Sequence, residues 1–391
     1  MNASLNAVIS ELQDDMISFA QKIVTTKSLT GCEGAVAELV ADKMQELGYD
    51  EVSIDEMGNV LGRIGTGPAA LLFDSHMDTV TVNDAAEWSA DPFGGEIRNG
   101  DLYGRGAADM KCSLVSSLYG AAAAKKLGLI EGEAVYVSAS SMEEDYDGEA
   151  VRYLLTKTGL RPRGVVICEP TVMKVATGHR GRALIELHAE GVSCHASAPK
   201  RGKNPVFMLE ELIRRVQRRA DELDAQPGEH GDLALTNIYC TTASNNSVPS
   251  NATLILDRRL ALGETEEIIA REMDALVAGT EVTWCFSDIP ATSWKGQDFL
   301  FHSFLPAWEI SPEDDFVCRV SAAFEEARGE KPELCKMSCS TNGVVTAGVF
   351  HLPTIVLGPG DLAYAHARDE RCSIQNMVSA AGIYALMCGK M

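Results

Sequence analysis

The chain has 391 residues, 46% of them hydrophobic and 23% charged, a composition that suits a globular protein of about two or three domains. Its formal charge of −22 argues against nucleic acid, whose phosphates need basic partners, and against adhesion to anionic lipid. The N-terminal MNASLNAVISELQDDM lacks a basic start followed by an apolar stretch, so no signal peptide is expected. No apolar run approaches the roughly 18 residues of a membrane span. The eleven cysteines show no metal-knuckle pairing, and the expectation is reduced thiols in the cytoplasm.

Apolar spacing predicts helices over 7–26 and 33–47, the second stopped by Gly48. Short β-rich runs follow in EVSID, NVLGRIG, AALLFDS, AVYVSAS and GVVICEP, with helices expected over 112–127 and 148–158. Strands alternating with helices imply an α/β domain, a mostly parallel sheet covered by helices on both faces. Ligands of such sheets bind beyond the carboxyl ends of the strands, which is where SHMD, SSMEED and CEPT fall.

Near residue 178 the pattern changes. GRALIELHAEG alternates like a half-exposed strand, and a long helix is expected over 204–222. Strand-like LALTNIYCTT and ATLILDRRLAL follow, then a helix opening at Thr265-Glu266-Glu267 and the run EVTWCFS. This β-α-β-β-α-β order is ferredoxin-like. It interrupts the first pattern, so it reads as an insertion over 178–288, between a first part of the α/β domain at 1–177 and a second part at 289–391, where helices and the strand TIVLGPG complete it.

Chemistry gathers at the strand ends. In LLFDSHMDTV an apolar run breaks off into Asp74, Ser75, His76 and Asp78. Residues i and i+2 of a strand face the same side, so His76 and Asp78 can point into one site, as a metal-binding imidazole with a carboxylate fixing its tautomer. Three more carboxylate positions sit at turns: Asp109 in GRGAADMK, the doublet Glu143-Glu144 in SSMEEDYDG, and Glu169 in CEPT. His366 lies in GPGDLAYAHARDE. Taken singly, each is also what a helix cap or a solvated turn looks like. Together, two histidines and three carboxylates suit a pair of borderline divalent ions, with one carboxylate bridging. In the Glu143-Glu144 doublet, neighbouring side chains on an extended segment diverge, so one can ligate while the other moves a proton.

These residues in this order resemble the dinuclear zinc peptidase and deacylase family, which includes acetylornithine deacetylase, succinyl-diaminopimelate desuccinylase, aminoacylase and the glutamate carboxypeptidases. The resemblance covers nearly the whole chain, through SHMDTV, WSADPFGG, LYGRGAADMK, SMEED, EPT, VSCHASAP, GKNP, VPSNATLILDRR and the terminal GPG and AH. SMEEDYDG, RGRALIELHAEGVSCHASAP and STNG look most like its selenium-metabolism-linked hydrolase branch.

The resemblance implies a zinc-exopeptidase-like catalytic domain and an inserted domain that serves as a lid and forms a homodimer. It implies two metal ions, with zinc the first choice and cobalt or manganese possible. One would be held by His76, Asp109 and Glu169, the other by Asp109, Glu144 and His366. Glu143 would act as general base, Asp78 would support His76, and the Asp109–Met110 peptide would be cis. His195 would match the lid histidine that stabilises the oxyanion, Arg259 an arginine that grips a substrate carboxylate, and Asn246 and Asn204 further substrate contacts. The substrate would be small, anionic and amino-acid-derived, cleaved at an amide bond. Glu169, where the family also uses Asp, tilts the reading toward an N-acyl-amino-acid deacylase or carboxypeptidase; the alternatives are a dipeptidase or aminopeptidase, or a metal-dependent binding protein without catalysis.

The residues add three observations of their own. Arg180, Arg182, Lys200, Arg201, Lys203, Arg258 and Arg259 concentrate positive charge in the inserted segment of an acidic chain, either for an anionic ligand or to balance acidic neighbours. Asn342 in CSTNG stands where the family often has Asp, and the exchange is expected to remove a charge beside the substrate. Cys112, Cys168, Cys194 and Cys339 lie within three residues of Asp109, Glu169, His195 or Asn342, either as packing groups or as oxidant-sensitive thiols around the site.

Overall fold

The computed structural model describes residues 3–390; Met1, Asn2 and Met391, the tips of the expected first and third segments, lie outside them. In chain order the elements used below are α1 (Ala3–Thr25), α2 (Gly34–Glu46), β1 (Glu51–Ile54), β2 (Val60–Gly65), β3 (Ala69–His76), α3 (Cys112–Lys126), β4 (Ala134–Ser140), α4 (Glu149–Thr158), β5 (Gly164–Ile167) and β6 (Val175–His179). Then come β7 (Gly181–Glu190), α5 (Pro205–Asp224), β8 (Asp232–Thr241), β9 (Asn251–Leu260), α6 (Glu266–Val277) and β10 (Thr283–Phe286). The chain closes with α7 (Asp315–Arg328), β11 (Leu334–Met337), β12 (Thr354–Val356) and α8 (Ile374–Cys388).

Contacts divide the chain into two units, one of Met1–His179, Ala291–Phe299 and Glu309–Met391, the other of Arg180–Pro290 and Leu300–Trp308. The segment 300–308 was expected in the α/β domain. It joins the second unit because Phe304 and Leu305 pair with Ala183 and Arg182 of β7.

In the first unit the main sheet runs β1-β2-β4-β3-β5-β12-β6, with β11 pairing β6. The sheet is mixed rather than mostly parallel. β4, β3, β5 and β12 are parallel neighbours, while β1, β2 and β4 pair antiparallel and β12 meets β6 antiparallel. Only Asp55–Asn59 separates β1 from β2, too few residues for the crossover a parallel pair needs. β3 lies between two parallel partners and is buried from Ala70 to His76, which explains its unbroken apolar run.

Helix α3 is buried on every side from Cys112 to Ala124, and its Ala, Ser and Gly residues let α8 approach closely. A Cβ added at Gly120 would stand 2.8 Å from the Tyr384 Cβ, so this contact depends on glycine.

The second unit has the element order β-α-β-β-α-β and an antiparallel sheet ordered β8-β9-β7-β10. Ala183, Ile185, Leu187 and Ala189 of β7 are buried in one cluster with Leu209, Leu212 and Val216 of α5 and Ile269 and Met273 of α6. The intervening residues of β7 project from the opposite face.

Candidate metal centre and active site

Three parallel strands end side by side in the first unit. Register places His76 opposite Ser140, and Asp74 opposite Ile167. The SMEE turn therefore leaves β4, and Cys168-Glu169 leaves β5, both next to the end of β3. The Gly358-Pro359-Gly360 segment after β12 passes the same place. A Cβ at Gly358 would lie 2.3 Å from the Cys168 carbonyl oxygen, and one at Gly360 2.2 Å from that of Ala108. Both glycines are needed because backbone runs against backbone here.

The side chains converge. His76 Nε2 lies 3.1 Å from Asp109 Oδ1, 3.6 Å from Glu169 Oε1 and 4.0 Å from Glu143 Oε2. His366 Nε2 lies 3.4 Å from Asp109 Oδ2 and 2.8 Å from Glu144 Oε2. Asp109 thus turns one oxygen to each histidine. His366 has a left-handed backbone (φ 58°), as does Met142 just before the glutamate doublet (φ 58°), and such conformations gather where side chains are aimed for function. The Asp109–Met110 peptide is cis. His76, Asp109, Glu143 and Glu169 are buried, while His366 is half exposed.

Asp78 takes a broader part than a partner for His76. The His76 Nδ1 is nearer the Asp78 backbone oxygen (3.0 Å) than its Oδ1 (3.5 Å). The carboxylate accepts the backbone N–H groups of Glu143 and Glu144 at 3.0 and 3.1 Å, and the Thr30 hydroxyl at 2.9 Å. It clamps the glutamate doublet to the end of β3.

The electrostatics are those of crowded acids. Burial opposes charge on His76, but hydrogen bonds to Asp109 and Asp78 and the Glu169 and Glu143 carboxylates push its pKa well above the ordinary value. Asp109 and Glu144 raise His366 to about 10. Burial raises Glu143, Glu144 and Glu169, with Glu169 adding to the shift of Glu143 and Asp109 to that of Glu169. Burial also pushes Asp109 up, but the two histidines hold it below the usual carboxylate range. Acids this close are at ease only beside added positive charge.

The donor set fits divalent cations. His76, Asp109 and Glu144 bring ligand atoms within 4.8 Å of one another, and so do His76, Glu143 and Glu169. The donors are imidazole nitrogens and carboxylate oxygens with no thiol, the set that borderline ions take. His76 Nδ1 is engaged by the Asp78 carbonyl, which leaves Nε2 as the ligating atom.

The other sequence candidates belong to the second unit. The His195 Nδ1 lies 2.8 Å from the Ser197 hydroxyl and accepts the Ser197 backbone N–H at 3.1 Å, which leaves Nε2 to carry the proton of the neutral ring. Arg259 pairs with Asp257 at 2.8 Å. The Asn204 side chain caps α5, accepting the Val206 N–H at 3.0 Å. The backbone oxygen of Asn246 accepts the Ala196 N–H at 2.8 Å. Most of the basic cluster balances acids of the same unit: Arg180 with Asp232, Arg182 with Asp257, Lys203 with Glu281, and fully buried Arg258 with Glu264 and Glu272.

Asn342, Cys168 and Cys339 lie in the first unit. Asn342 is buried, donating from Nδ2 to Asp74 Oδ2 (2.7 Å) and Ser140 Oγ (3.1 Å) while its Oδ1 accepts the Gly148 N–H at 2.7 Å. Its amide donates to buried Asp74, where an aspartate would set a second carboxylate. Of the thiols near the site, buried Cys168 is pushed up to about 12 by desolvation, and burial with Glu169, Asp109 and Glu143 raises Cys339; both shifts favour the protonated form, in line with the packing reading.

Three residues escaped the sequence reading. Glu370 Oε1 accepts the backbone N–H groups of Ala108 and Asp109 at 3.0 and 3.1 Å, and its Oε2 meets Arg105 at 2.5 Å, fixing the Asp109 turn. Glu33 Oε1 accepts the Met142 N–H at 2.9 Å, and Thr30 bonds Asp78. Their spacing from the site in sequence carries no periodic signal; only the folded chain brings them in.

Residues 72–390 match the model of peptidase family M20/M25/M40. The uncharacterized protein YgeY of Escherichia coli K12 is 34% identical over 379 residues, covering 96% of this chain and 94% of that protein. Succinyl-diaminopimelate desuccinylase of Methylocella silvestris is 26% identical, covering 96% and 98%. The Saccharomyces cerevisiae di-peptidase Dug1p shares the fold, with a TM-score of 0.73 at 14% identity, over 99% of this chain and 98% of that one. The chain belongs to peptidase family M20/M25/M40. It is a dinuclear metal-dependent hydrolase of amide bonds in small substrates.

Proposed function

We propose that the protein is a deacylase or carboxypeptidase-like enzyme acting on a small anionic, amino-acid-derived amide. The observation that carries this reading is Asp109, whose two oxygens face His76 and His366 while Glu143 stands free of that pairing, 4.0 Å from His76. His76, Asp109 and Glu169 would hold one cation, most naturally zinc, and Asp109, Glu144 and His366 the other. When bound, such a pair acidifies water and polarises a carbonyl.

The remaining work falls to the chain's own groups. Glu143 takes the proton of the attacking water and delivers it to the departing nitrogen, with its backbone fixed by Asp78. Asp78 and Glu370 hold the ligand-bearing turns so that the donors meet without rearrangement. The second unit, in this reading, serves as lid and homodimer surface, with His195 Nε2 donating to the oxyanion and Arg259, Asn246 and Asn204 contacting the substrate. The exposure of His195 and the proton left on its Nε2 support that role, and the ion pairs of the basic cluster leave the substrate part to be tested residue by residue.

The desuccinylase relative favours an N-acyl amino acid over a free peptide. A cytoplasmic location is proposed because all eleven cysteines are free; no helix among the described residues is long and apolar enough to cross a membrane. The deciding experiment is a substrate panel of N-acetyl and N-succinyl amino acids against free dipeptides, with metal-loaded protein and released primary amine as readout. Turnover of acylated substrates supports the reading; turnover confined to free amino termini makes the protein a dipeptidase or aminopeptidase instead.

A further inference from the structure

A second group of metal-type donors lies in the second unit, on the sheet face that α5 and α6 leave uncovered. Glu186 and His188 are two residues apart on β7 and so project from one side. The antiparallel partner β10 sets Cys285 opposite Glu186 and Thr283 opposite His188. The three side chains meet across the strand pair. His188 Nε2 stands 3.5 Å from Cys285 Sγ and 3.3 Å from Glu186 Oε2, and the three donor atoms all lie within 4.8 Å of one another.

Those separations have a physical meaning. A tetrahedral zinc ion with bonds of about 2.3 Å to sulfur and about 2.1 Å to nitrogen and oxygen requires a nitrogen–sulfur separation of about 3.6 Å and a nitrogen–oxygen separation of about 3.4 Å. The two edges that meet at His188 Nε2, 3.5 Å to sulfur and 3.3 Å to oxygen, match these values. Their other polar atoms are tied back. The Thr253 hydroxyl lies 3.1 Å from His188 Nδ1, and the Ser287 hydroxyl donates to Glu186 Oε1 at 2.7 Å. Nε2, Oε2 and Sγ are thereby the atoms left to converge, the outer support that metal-binding imidazoles and carboxylates receive. Cys285 carries no disulfide and is exposed, so a cation can reach it.

We propose that Glu186, His188 and Cys285 form a third metal site, separate from the carboxylate-rich centre. Sulfur, nitrogen and oxygen donors in one triad select a borderline divalent ion such as zinc and disfavour magnesium or calcium. Three protein ligands leave a fourth position for water. The bound ion links β10, a four-residue strand at the sheet edge, to the central β7, so its role is to brace that edge.

Cobalt(II) separates this site from the first, because only a sulfur-ligated ion gives a near-ultraviolet sulfur-to-cobalt charge-transfer band and the carboxylate centre offers no thiol. The full-length protein, stripped by chelator, is titrated with cobalt while the band and the bound metal are measured. The expected result is a charge-transfer band that saturates at one sulfur-bound cobalt per chain and is lost in Cys285→Ser and in His188→Ala, with amide hydrolysis unchanged in both. No such band at saturation, or a band of the same strength in Cys285→Ser, overturns the proposal. Should Cys285→Ser fail to fold by circular dichroism, the His188→Ala comparison decides alone. The band reports sulfur ligation only, so the outcome does not depend on the reading of the carboxylate centre.

Discussion

The carboxylate of Asp78 accepts the backbone N–H of Glu143 at 3.0 Å, which joins the end of β3 to the turn after β4. A second bond, from the Glu144 N–H at 3.1 Å, makes the clamp two-pronged. One residue thereby sets both the proposed proton carrier and a proposed ligand. Replacing Asp78 with Ala removes both acceptors and the 3.5 Å approach of its carboxylate to His76 Nδ1, while the Asp78 backbone oxygen still engages that nitrogen. Metal affinity is expected to fall by about 10–100-fold, measured by competition with a chromophoric chelator. Unchanged affinity would show that the clamp is dispensable.

Glu143 is the side chain assigned to proton transfer rather than to holding metal. Glu143→Ala should lower kcat by about 10²–10⁴-fold while metal content by elemental analysis stays at the wild-type value. Near-wild-type turnover rejects the role, and loss of a cation would make Glu143 a ligand instead.

Buried Asn342 donates to Asp74 Oδ2 at 2.7 Å. Asn342→Asp sets a second carboxylate against one that desolvation already raises. One of the two must then carry a proton or stand unpaired, at a cost of about 1–3 kcal/mol in urea denaturation at neutral pH. The double change with Asp74→Asn should recover most of that loss.

Glu33 offers a pH test. Its Oε1 accepts two backbone N–H groups, but Oε2 is buried with no hydrogen-bond partner among the described residues. Desolvation, followed by Asp78, raises its pKa from 4.5 to about 7. A folded pKa above the unfolded one means stability that is full below pH 4.5 and is lost as pH rises through about 7. Glu33→Gln, neutral at every pH, should therefore match the chelator-treated parent near pH 4 and exceed it near pH 8 by on the order of 3 kcal/mol. Parallel stability curves would contradict the assignment.

Much of this site could be read from the chain because its chemistry interrupts strong local patterns. His76 and Asp78 stop an apolar strand, and Glu144 and Glu169 follow runs buried in the same sheet. What could not be read depends on distance in sequence. Glu370 meets Asp109 from 261 residues away, and Glu33 meets Met142 from 109. The antiparallel edge β1-β2-β4 was hidden because strand direction depends on the connection rather than on the residues of the strand. The return of Phe304 and Leu305 to β7 was hidden likewise, since two residues carry no period.

The most direct measurement is anomalous diffraction from crystals of the zinc-loaded protein at the zinc absorption edge. The account predicts two peaks about 3.5–4 Å apart on either side of the Asp109 carboxylate, one in reach of His76 and Glu169 and the other in reach of Glu144 and His366. A single peak there, or none between those residues, contradicts it.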